Sequence, residues 1–335
     1  MMNPTRLIPS LALLCMLTLS LTLGSCASDE HTDADPEAMF QTHYDFAFAY
    51  FAMGPEAYER CQQQIYKAFE YEEDHVELRV LLGQLLVRKG GLEDIASAEL
   101  VYRSLIDDDD PRAALGLALC LERRGNFYDE AARQIASGER FTEATDPAER
   151  ARELADEANA LWNDAEGFYL QALEINDADR AVLNGLQRIK ALQDQPGESL
   201  KYSTQLLEIC NRDRDFWKTQ LERPDLSARD EDSMRASVLD LETLMVRTHL
   251  HASNLCVDLG KSEIALDHLS AIASIRPEIA AVHSRRAQLF KRIGDYPAAI
   301  VEIEEFLRLS RLPFEHPDIN AAYTLKSECE EAMEG

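Results

Sequence analysis

Small residues recur at a nearly fixed step of about 34 residues through most of this 335-residue chain. The ladder of small residues runs through Cys61, Ala98, Ala131, Ala165, Ser199, a position near 232, Ala265 and Ala299. A period of this length is typical of helix-turn-helix repeat arrays, in which one unit cannot bury its apolar face alone and therefore stacks on its neighbours. The ladder predicts seven or eight such units, and hence a solenoid that presents a binding surface.

The last two units show the repeat most clearly. Their second helices are predicted by the segments Ala265-x3-Leu269-x2-Ile272 and Ala299-x3-Ile303-x2-Phe306. Gly260 and Gly294 precede these segments at the expected turns, and Leu82-Gly83-x2-Leu86 fits the first helix of an earlier unit. This pattern resembles the tetratricopeptide repeat (TPR) family, whose repeat reads W-x2-L-G-x2-Y, then A-x3-F, then P. The resemblance implies a right-handed solenoid of helical hairpins in which several units are degenerate.

The composition leaves little room for β-structure. The chain has only 14 glycines and 12 prolines, and few stretches sustain the alternation of a β-strand. We therefore predict an all-α protein whose repeats occupy residues 37–312. Pro313 and Pro317 end the last unit, and residues 313–335 are predicted to form a C-terminal capping helix whose polar outer face meets water.

Two stretches depart from the regular unit. No glycine or proline interrupts residues 228–259, which predicts either one long helix or two helices joined without a clear turn. Between positions 125 and 179 the units degenerate, and the helix that begins after Asp146-Pro147 lacks the glycine turn of a normal repeat. We expect a fused or extended helix there.

The first 25 residues have a different composition from the rest of the chain. Arg6 is their only charged residue, and a leucine-rich run over residues 7–23 leads to the segment Leu23-Gly24-Ser25-Cys26. A basic residue, an apolar run and a small-residue exit favour a secretory signal. The segment that ends at Cys26 resembles the bacterial lipobox, which implies that residues 1–25 are a signal peptide and that Cys26 is lipidated. Plain secretion and a membrane anchor are the alternatives.

Residues 26–36 contain several acidic side chains and almost no apolar ones, which predicts a solvated tether between the lipid and the repeats. Ala27, and not an aspartate, follows Cys26. By resemblance to the enterobacterial sorting rule, this residue implies the outer membrane. The expected location is the bacterial cell envelope, at the periplasmic face of that membrane.

The formal net charge of −27, from 61 acidic and 34 basic residues, excludes a nucleic-acid partner, because such binding depends on Lys and Arg neutralising phosphates. One region departs from this balance. Residues 245–312 hold nine basic and eight acidic residues, so their local charge is about +1 in an otherwise acidic chain. This region is the best candidate for a site that attracts an acidic partner.

In the repeat frame set by Gly260 and Gly294, first helices line the concave face of the solenoid. Six polar side chains are predicted to face inward in adjacent layers: Arg247, His251, Asn254, Arg285, Gln288 and Arg292. TPR domains that hold chaperone tails use Lys, Asn and Arg at comparable positions, although Leu250 stands where that family has Lys. We predict a groove for an acidic or C-terminal peptide, held by bidentate arginine contacts. The alternative is that these side chains pair with neighbouring Asp and Glu residues on the solenoid surface.

The sequence holds no convincing catalytic, metal or cofactor motif. Gly260-Lys261-Ser262 resembles the end of a phosphate-binding loop, but Leu255 stands where that loop needs glycine. His249 and His251 are two residues apart and diverge on a helix, so they are not expected to share a metal ion. The cysteines other than Cys15 and Cys26 form an odd set of five without a C-x-x-C pair, which favours buried thiols over a disulfide framework.

These observations favour a non-catalytic scaffold lipoprotein that binds protein or peptide partners in the envelope. By resemblance, it would act as a pilotin, as an adaptor for cell-wall hydrolases or as part of an assembly machine. The alternative is a lipoprotein that binds a small molecule or glycan between long helices, for which Trp162, Phe216 and Trp217 are the only aromatic support. The oligomeric state is left open.

Overall fold

The computed structural model describes residues 35–107, 110–140, 142, 144 and 146–334. The predicted signal peptide, Cys26 and nearly all of the predicted tether lie outside the described residues. Over the described ranges the chain forms thirteen α-helices and no β-strand: α1 (Pro36–Met53), α2 (Tyr58–Phe69), α3 (Val76–Lys89), α4 (Leu92–Asp107), α5 (Pro111–Ala136), α6 (Pro147–Ile175), α7 (Arg180–Leu192), α8 (Pro196–Leu221), α9 (Ala228–Asp258), α10 (Ser262–Ile275), α11 (Ala280–Ile293), α12 (Tyr296–Leu309) and α13 (Pro317–Glu334).

Consecutive helices pack as hairpins, α1 with α2 through to α11 with α12, and each hairpin packs on the next. The helix α13 packs on α12 and α11 and closes the array, as the prediction of a C-terminal capping helix requires. First helices also contact one another directly from α1 through α3 and α5 to α7. The chain is therefore an all-α solenoid of TPR-type hairpins, and the predicted fold class is confirmed.

The ladder of small residues marks the second helices. Six of its members lie on α2, α4, α6, α8, α10 and α12, and each is 0% exposed: Cys61, Ala98, Ala165, Ser199, Ala265 and Ala299. A small side chain at these positions lets the neighbouring helices approach closely. The fixed period therefore reflects the need of each hairpin for one small residue where its second helix packs closely on its neighbours.

The other two ladder positions explain why the described chain forms six hairpins where seven or eight units were expected. Ala131 lies on the first helix α5, and position 232 is an exposed aspartate on the first helix α9. The steps from Ala98 to Ala165 and from Ser199 to Ala265 are each about two repeat lengths. The first step contains the lengthened hairpin of α5 and α6, and the second contains an extension formed by the end of α8 and the start of α9, which belong to successive hairpins. The period is kept, and eight repeat lengths are distributed over six hairpins.

The two lengthened regions differ in their packing. The extension formed by α5 and α6 has its own small core, made of Ala131, Ala132, Ile135, Ala151 and Leu154. The extension formed by the end of α8 and the start of α9, residues 211–240, contains no buried residue. Residues 228–258 form one helix, which confirms the first of the two alternatives for that stretch, and α6 confirms the extended helix expected between positions 125 and 179.

Aromatic side chains of second helices pack into spaces left by first-helix glycines. A Cβ atom added at Gly83 or Gly116 would lie 2.7 or 2.2 Å from the ring of Tyr102. The same relationship joins Gly185 to Tyr169. These glycines are needed because no side chain fits between the helices, and they fix how each hairpin is seated on its neighbour.

Candidate functional site

The first helices α9 and α11 border an open groove of about 490 Å³. Its lining residues are Ser253, Asn254, Val257, Asp258, Leu269, Arg285, Gln288, Leu289 and Arg292. Four of the six side chains predicted to form one groove are therefore together in it: Asn254, Arg285, Gln288 and Arg292. The spacing of Arg285, Gln288 and Arg292 places them on one face of α11.

A hydrogen bond across the groove joins the two helices. Nη1 of Arg285 donates to Oδ1 of Asn254 over 3.0 Å, and both residues are exposed. The bond fixes the plane of the Arg285 guanidinium while other donors of the fork stay free to meet a ligand. Asn254 therefore orients the arginine without neutralising it.

The groove arginines are not paired with carboxylates of this chain. Among the described residues, Arg247, Arg285 and Arg292 have no carboxylate oxygen within the 4.0 Å limit of an ion pair. Other basic residues of the region are paired, as Arg286 is with Glu302 over 2.9 Å. The one acidic side chain that lines the groove is Asp258. Mutual pairing on the surface therefore does not account for these three arginines.

His251 and Arg247 lie apart from this groove, which corrects the expectation that all six side chains share one. Nε2 of His251 lies 2.9 Å from Oγ of Ser199, and the ring lines a separate groove of about 300 Å³ with Glu122 and Arg188. Arg247 is exposed one turn before it on α9. The reason is that α9 lies between two neighbouring first helices, so a single stripe of its side chains serves the grooves on both sides.

An ionic cluster around the buried carboxylate of Glu122 forms part of this second groove and was not anticipated from the sequence. Arg188 on α7 donates to both carboxylate oxygens of Glu122 on α5 over 2.7 and 2.8 Å. The hydroxyl of Tyr169 on α6 donates to the same carboxylate over 2.5 Å. Burial, together with the Glu122 charge, raises the pKa of Tyr169 far above its ordinary value, so the hydroxyl remains a donor. The cluster joins three successive helices.

The two neighbouring histidines of α9 diverge, as their spacing predicts. His249 meets His268 on α10 with their Nδ1 atoms 3.0 Å apart, whereas His251 faces Ser199 on α8. Burial and the neighbouring imidazole lower the pKa of His249 to about 4. Across the described part of the chain, no group of three or more His, Cys, Asp or Glu side chains is placed to hold a metal ion.

The five cysteines of the described chain are all buried and free of disulfides: Cys61, Cys120, Cys210, Cys256 and Cys329. Burial raises the pKa of the Cys61 and Cys210 thiols to about 11 and that of Cys120 to about 12. These thiols are therefore protonated and unreactive, which confirms the prediction that they belong to the core.

The aromatic residues that favoured a small-molecule pocket have other roles. Trp162 is 4% exposed, lies against Gly125 and donates its indole N–H to Oδ1 of Asn126 over 3.1 Å. Phe216 is exposed on α8 and meets Trp217 edge to face, with ring centroids 5.1 Å apart. Trp162 thus fills the core, and Phe216 lies on the surface of the α8–α9 extension.

Within the ranges that the structure describes, no helix has both the length and the apolar character needed to span a bilayer. The predicted lipid attachment at Cys26 lies outside these ranges, and so does the leucine-rich run before it.

No protein-family model and no curated protein sequence matches this chain. Among solved structures, pilF of Pseudomonas aeruginosa shares 13% identity and a TM-score of 0.49, over 86% of this chain and 98% of that one. The TPR protein TTC0263 of Thermus thermophilus shares 14% identity and a TM-score of 0.39, over 75% and 98% of the two chains. YrrB, described as a TPR protein with an unusual peptide-binding site, shares 14% identity and a TM-score of 0.34, over 61% and 89%. Because these sequence identities and TM-scores are low, the fold assignment depends on the order and packing of the helices in this chain itself.

Proposed function

We propose that this protein is a non-catalytic scaffold that binds a carboxylate-bearing segment of a protein partner in the groove between α9 and α11. The observation that carries the proposal is the pair Arg285 and Arg292, which line the groove without a carboxylate partner among the described residues of a chain whose net charge is −27. In such an acidic protein, unpaired arginines two helical turns apart on one groove mark the place where an external anion replaces the missing counterion.

The surrounding charge shapes the expected selectivity. A strongly acidic surface repels acidic ligands at long range, and salt screens that repulsion beyond about 10 Å. Close contact with the guanidinium forks is then the main source of attraction, and Asp258 limits the net charge of the groove to about +1. We infer a peptide with one or two carboxylates as the ligand, and not a polyanion.

The open form of the groove and the core position of Trp162 support a peptide over an enclosed small molecule or glycan. Neither tryptophan lines this groove.

We further propose that the scaffold is a lipoprotein of the bacterial envelope, held at the periplasmic face of the outer membrane. The segment Leu23-Gly24-Ser25-Cys26 after a leucine-rich leader supports this proposal, and Ala27 after the cysteine favours the outer membrane. An acyl anchor would confine the scaffold to a surface and raise the effective concentration of the bound partner. Pilotin, cell-wall-hydrolase adaptor and assembly-machinery component are the roles that such a tethered scaffold could fill.

The test is affinity capture from envelope extracts with the purified repeat region, followed by mass spectrometry. Arg285→Glu combined with Arg292→Glu should lose a partner that the unchanged protein captures. The matched control combines Arg229→Glu with Arg311→Glu, which changes the charge equally at exposed positions that do not line the groove. Equal capture by all three proteins would show that the groove arginines have no role in binding.

A further inference from the structure

A second groove adjoins the first, on the other side of α11. It encloses about 290 Å³, and its apolar wall consists of Ala287, Ile303, Phe306, Ala321, Ala322 and Leu325. A depression of this size has room for at least one aliphatic or aromatic side chain. The capping helix α13 forms one side of this pocket.

Gln288 lines both grooves and stands between them. Its side chain is exposed, and its amide both donates and accepts hydrogen bonds. An extended peptide that crosses α11 from one groove to the other would pass this amide, which can bond to the peptide backbone. The two grooves are therefore two halves of one path over the surface, and not isolated depressions.

The two halves differ in the side chain that they favour. The groove between α9 and α11 offers Arg285 and Arg292, which have no ion pair among the described residues. The pocket beside α13 has an apolar wall and two carboxylates, Asp318 and Glu328, the second of which is paired with Lys291. These carboxylates repel an acidic side chain from the apolar half and direct it to the arginines.

On this basis we propose, as an extension of the proposed function, that the partner segment carries an apolar side chain about three residues away from its carboxylates. Adjacent packed helices lie about 8–10 Å apart, so grooves on the two sides of α11 are separated by about that distance. A peptide in the extended polyproline II conformation advances about 3.1 Å per residue and turns every third side chain to the same side, so two anchors about three residues apart can both reach this surface. The arginines fix the carboxylate, and the pocket beside α13 selects the apolar neighbour.

The test uses fluorescein-labelled peptides of glycine and serine in which one leucine stands one to six residues along the chain from the nearer of two adjacent glutamates. Binding to the purified full-length protein is measured by fluorescence anisotropy. The dissociation constant should be lowest near a spacing of three, and about tenfold lower than for the same peptide with serine in place of leucine.

Ala321→Phe fills the apolar pocket from an exposed position of α13 and should remove this tenfold gain, while the leucine-free peptide binds as before. Ser327→Phe adds the same ring at a position of α13 that does not line the pocket and should keep the gain.

Equal affinity at every spacing, or a gain that survives Ala321→Phe, would overturn this inference. If the inference fails in this way but the combination of Arg285→Ala with Arg292→Ala still abolishes peptide binding, the proposed function stands. Binding that is absent, or independent of both arginines, contradicts the inference and the proposed function together.

Discussion

The ring of Tyr169 on α6 occupies the space that a side chain at Gly185 on α7 would need. A Cβ atom at Gly185 would lie 2.2 Å from that ring, and real Cβ atoms do not approach other atoms so closely. The pair fixes the seating of one hairpin on the next. It also places the Tyr169 hydroxyl on the carboxylate of Glu122.

Gly185→Ala should therefore destabilise the fold by about 1–3 kcal/mol, because the added methyl group overpacks this interface. Gly167→Ala is the matched control: Gly167 lies inside α6 and has no atom within 4 Å of the added Cβ. There, alanine should stabilise the protein by about 0.5–1 kcal/mol, since glycine is unfavourable in a helix interior. Urea denaturation followed by circular dichroism measures both changes. Equal effects of the two substitutions would refute the close contact at Gly185.

Glu122→Gln should destabilise the protein by about 2–4 kcal/mol, because it leaves Arg188 without its counterion and weakens the bond from Tyr169. For comparison, Asp129→Asn removes an exposed ion pair with Arg133 and should cost less than about 1 kcal/mol. Thermal denaturation of the two variants gives the comparison. A Glu122 variant as stable as the Asp129 variant would show that the ionic cluster does not hold these helices together.

The His249–His268 contact predicts a loss of stability in mild acid. Burial lowers the pKa of both rings, that of His249 to about 4, so the unfolded chain binds more protons than the folded one below pH about 6.5. Stability should be complete above pH about 6.5 and fall as the pH drops towards 4. His249→Gln should remove about 1–2 kcal/mol of this fall, an amount reduced by solvent screening of the half-buried ring.

Denaturation midpoints of the wild type and of His249→Gln between pH 4 and pH 8 measure this effect. Acidic groups whose pKa is lowered by arginine partners, such as Glu99 with Arg103 and Arg124, act alike in both proteins. Their contribution therefore cancels in the difference. Parallel stability curves for the two proteins would contradict the assigned burial of the histidine pair.

Much of the fold follows from the sequence because close helix packing demands small residues. Ala165 and Ser199 recur at the repeat step since any larger side chain would push the second helix away from the helices that it packs on, and this constraint is visible in one sequence. Ala131 satisfies the same step, yet it packs within the extension of α5. The position of the turn sets the length of a hairpin. A stripe of alanines continues in the same pattern through a longer helix, so the sequence does not show that the helix is lengthened.

The candidate site is predicted in part for a similar reason. Helix periodicity places Asn254 and His251 on one stripe of α9, but it does not reveal which neighbouring helix each side chain will face. That choice depends on how the hairpins are seated, which leaves Asn254 beside α11 and His251 beside α8. Glu122 was missed because its partner Arg188 is 66 residues away in the sequence.

Cys26→Ala should abolish acylation of the full-length protein in bacterial cells, since the lipidated thiol would be absent. A clickable palmitate analogue, followed by in-gel fluorescence, measures the acylation. Cys15→Ala is the control, because Cys15 would leave with the signal peptide, and this variant should be labelled normally. Persistent labelling of Cys26→Ala would exclude the proposed lipid anchor.

A photocrosslinking amino acid at Gln288 probes the groove in living cells, since this exposed side chain lies between the two grooves. We predict an adduct with a specific envelope protein, and we predict that Arg285→Glu with Arg292→Glu removes it. The same amino acid at Gln134, on the α5 extension, should give no such adduct. An adduct of the same mass that persists in the charge-reversed variant, or that forms equally from position 134, would contradict capture of the partner by the groove arginines.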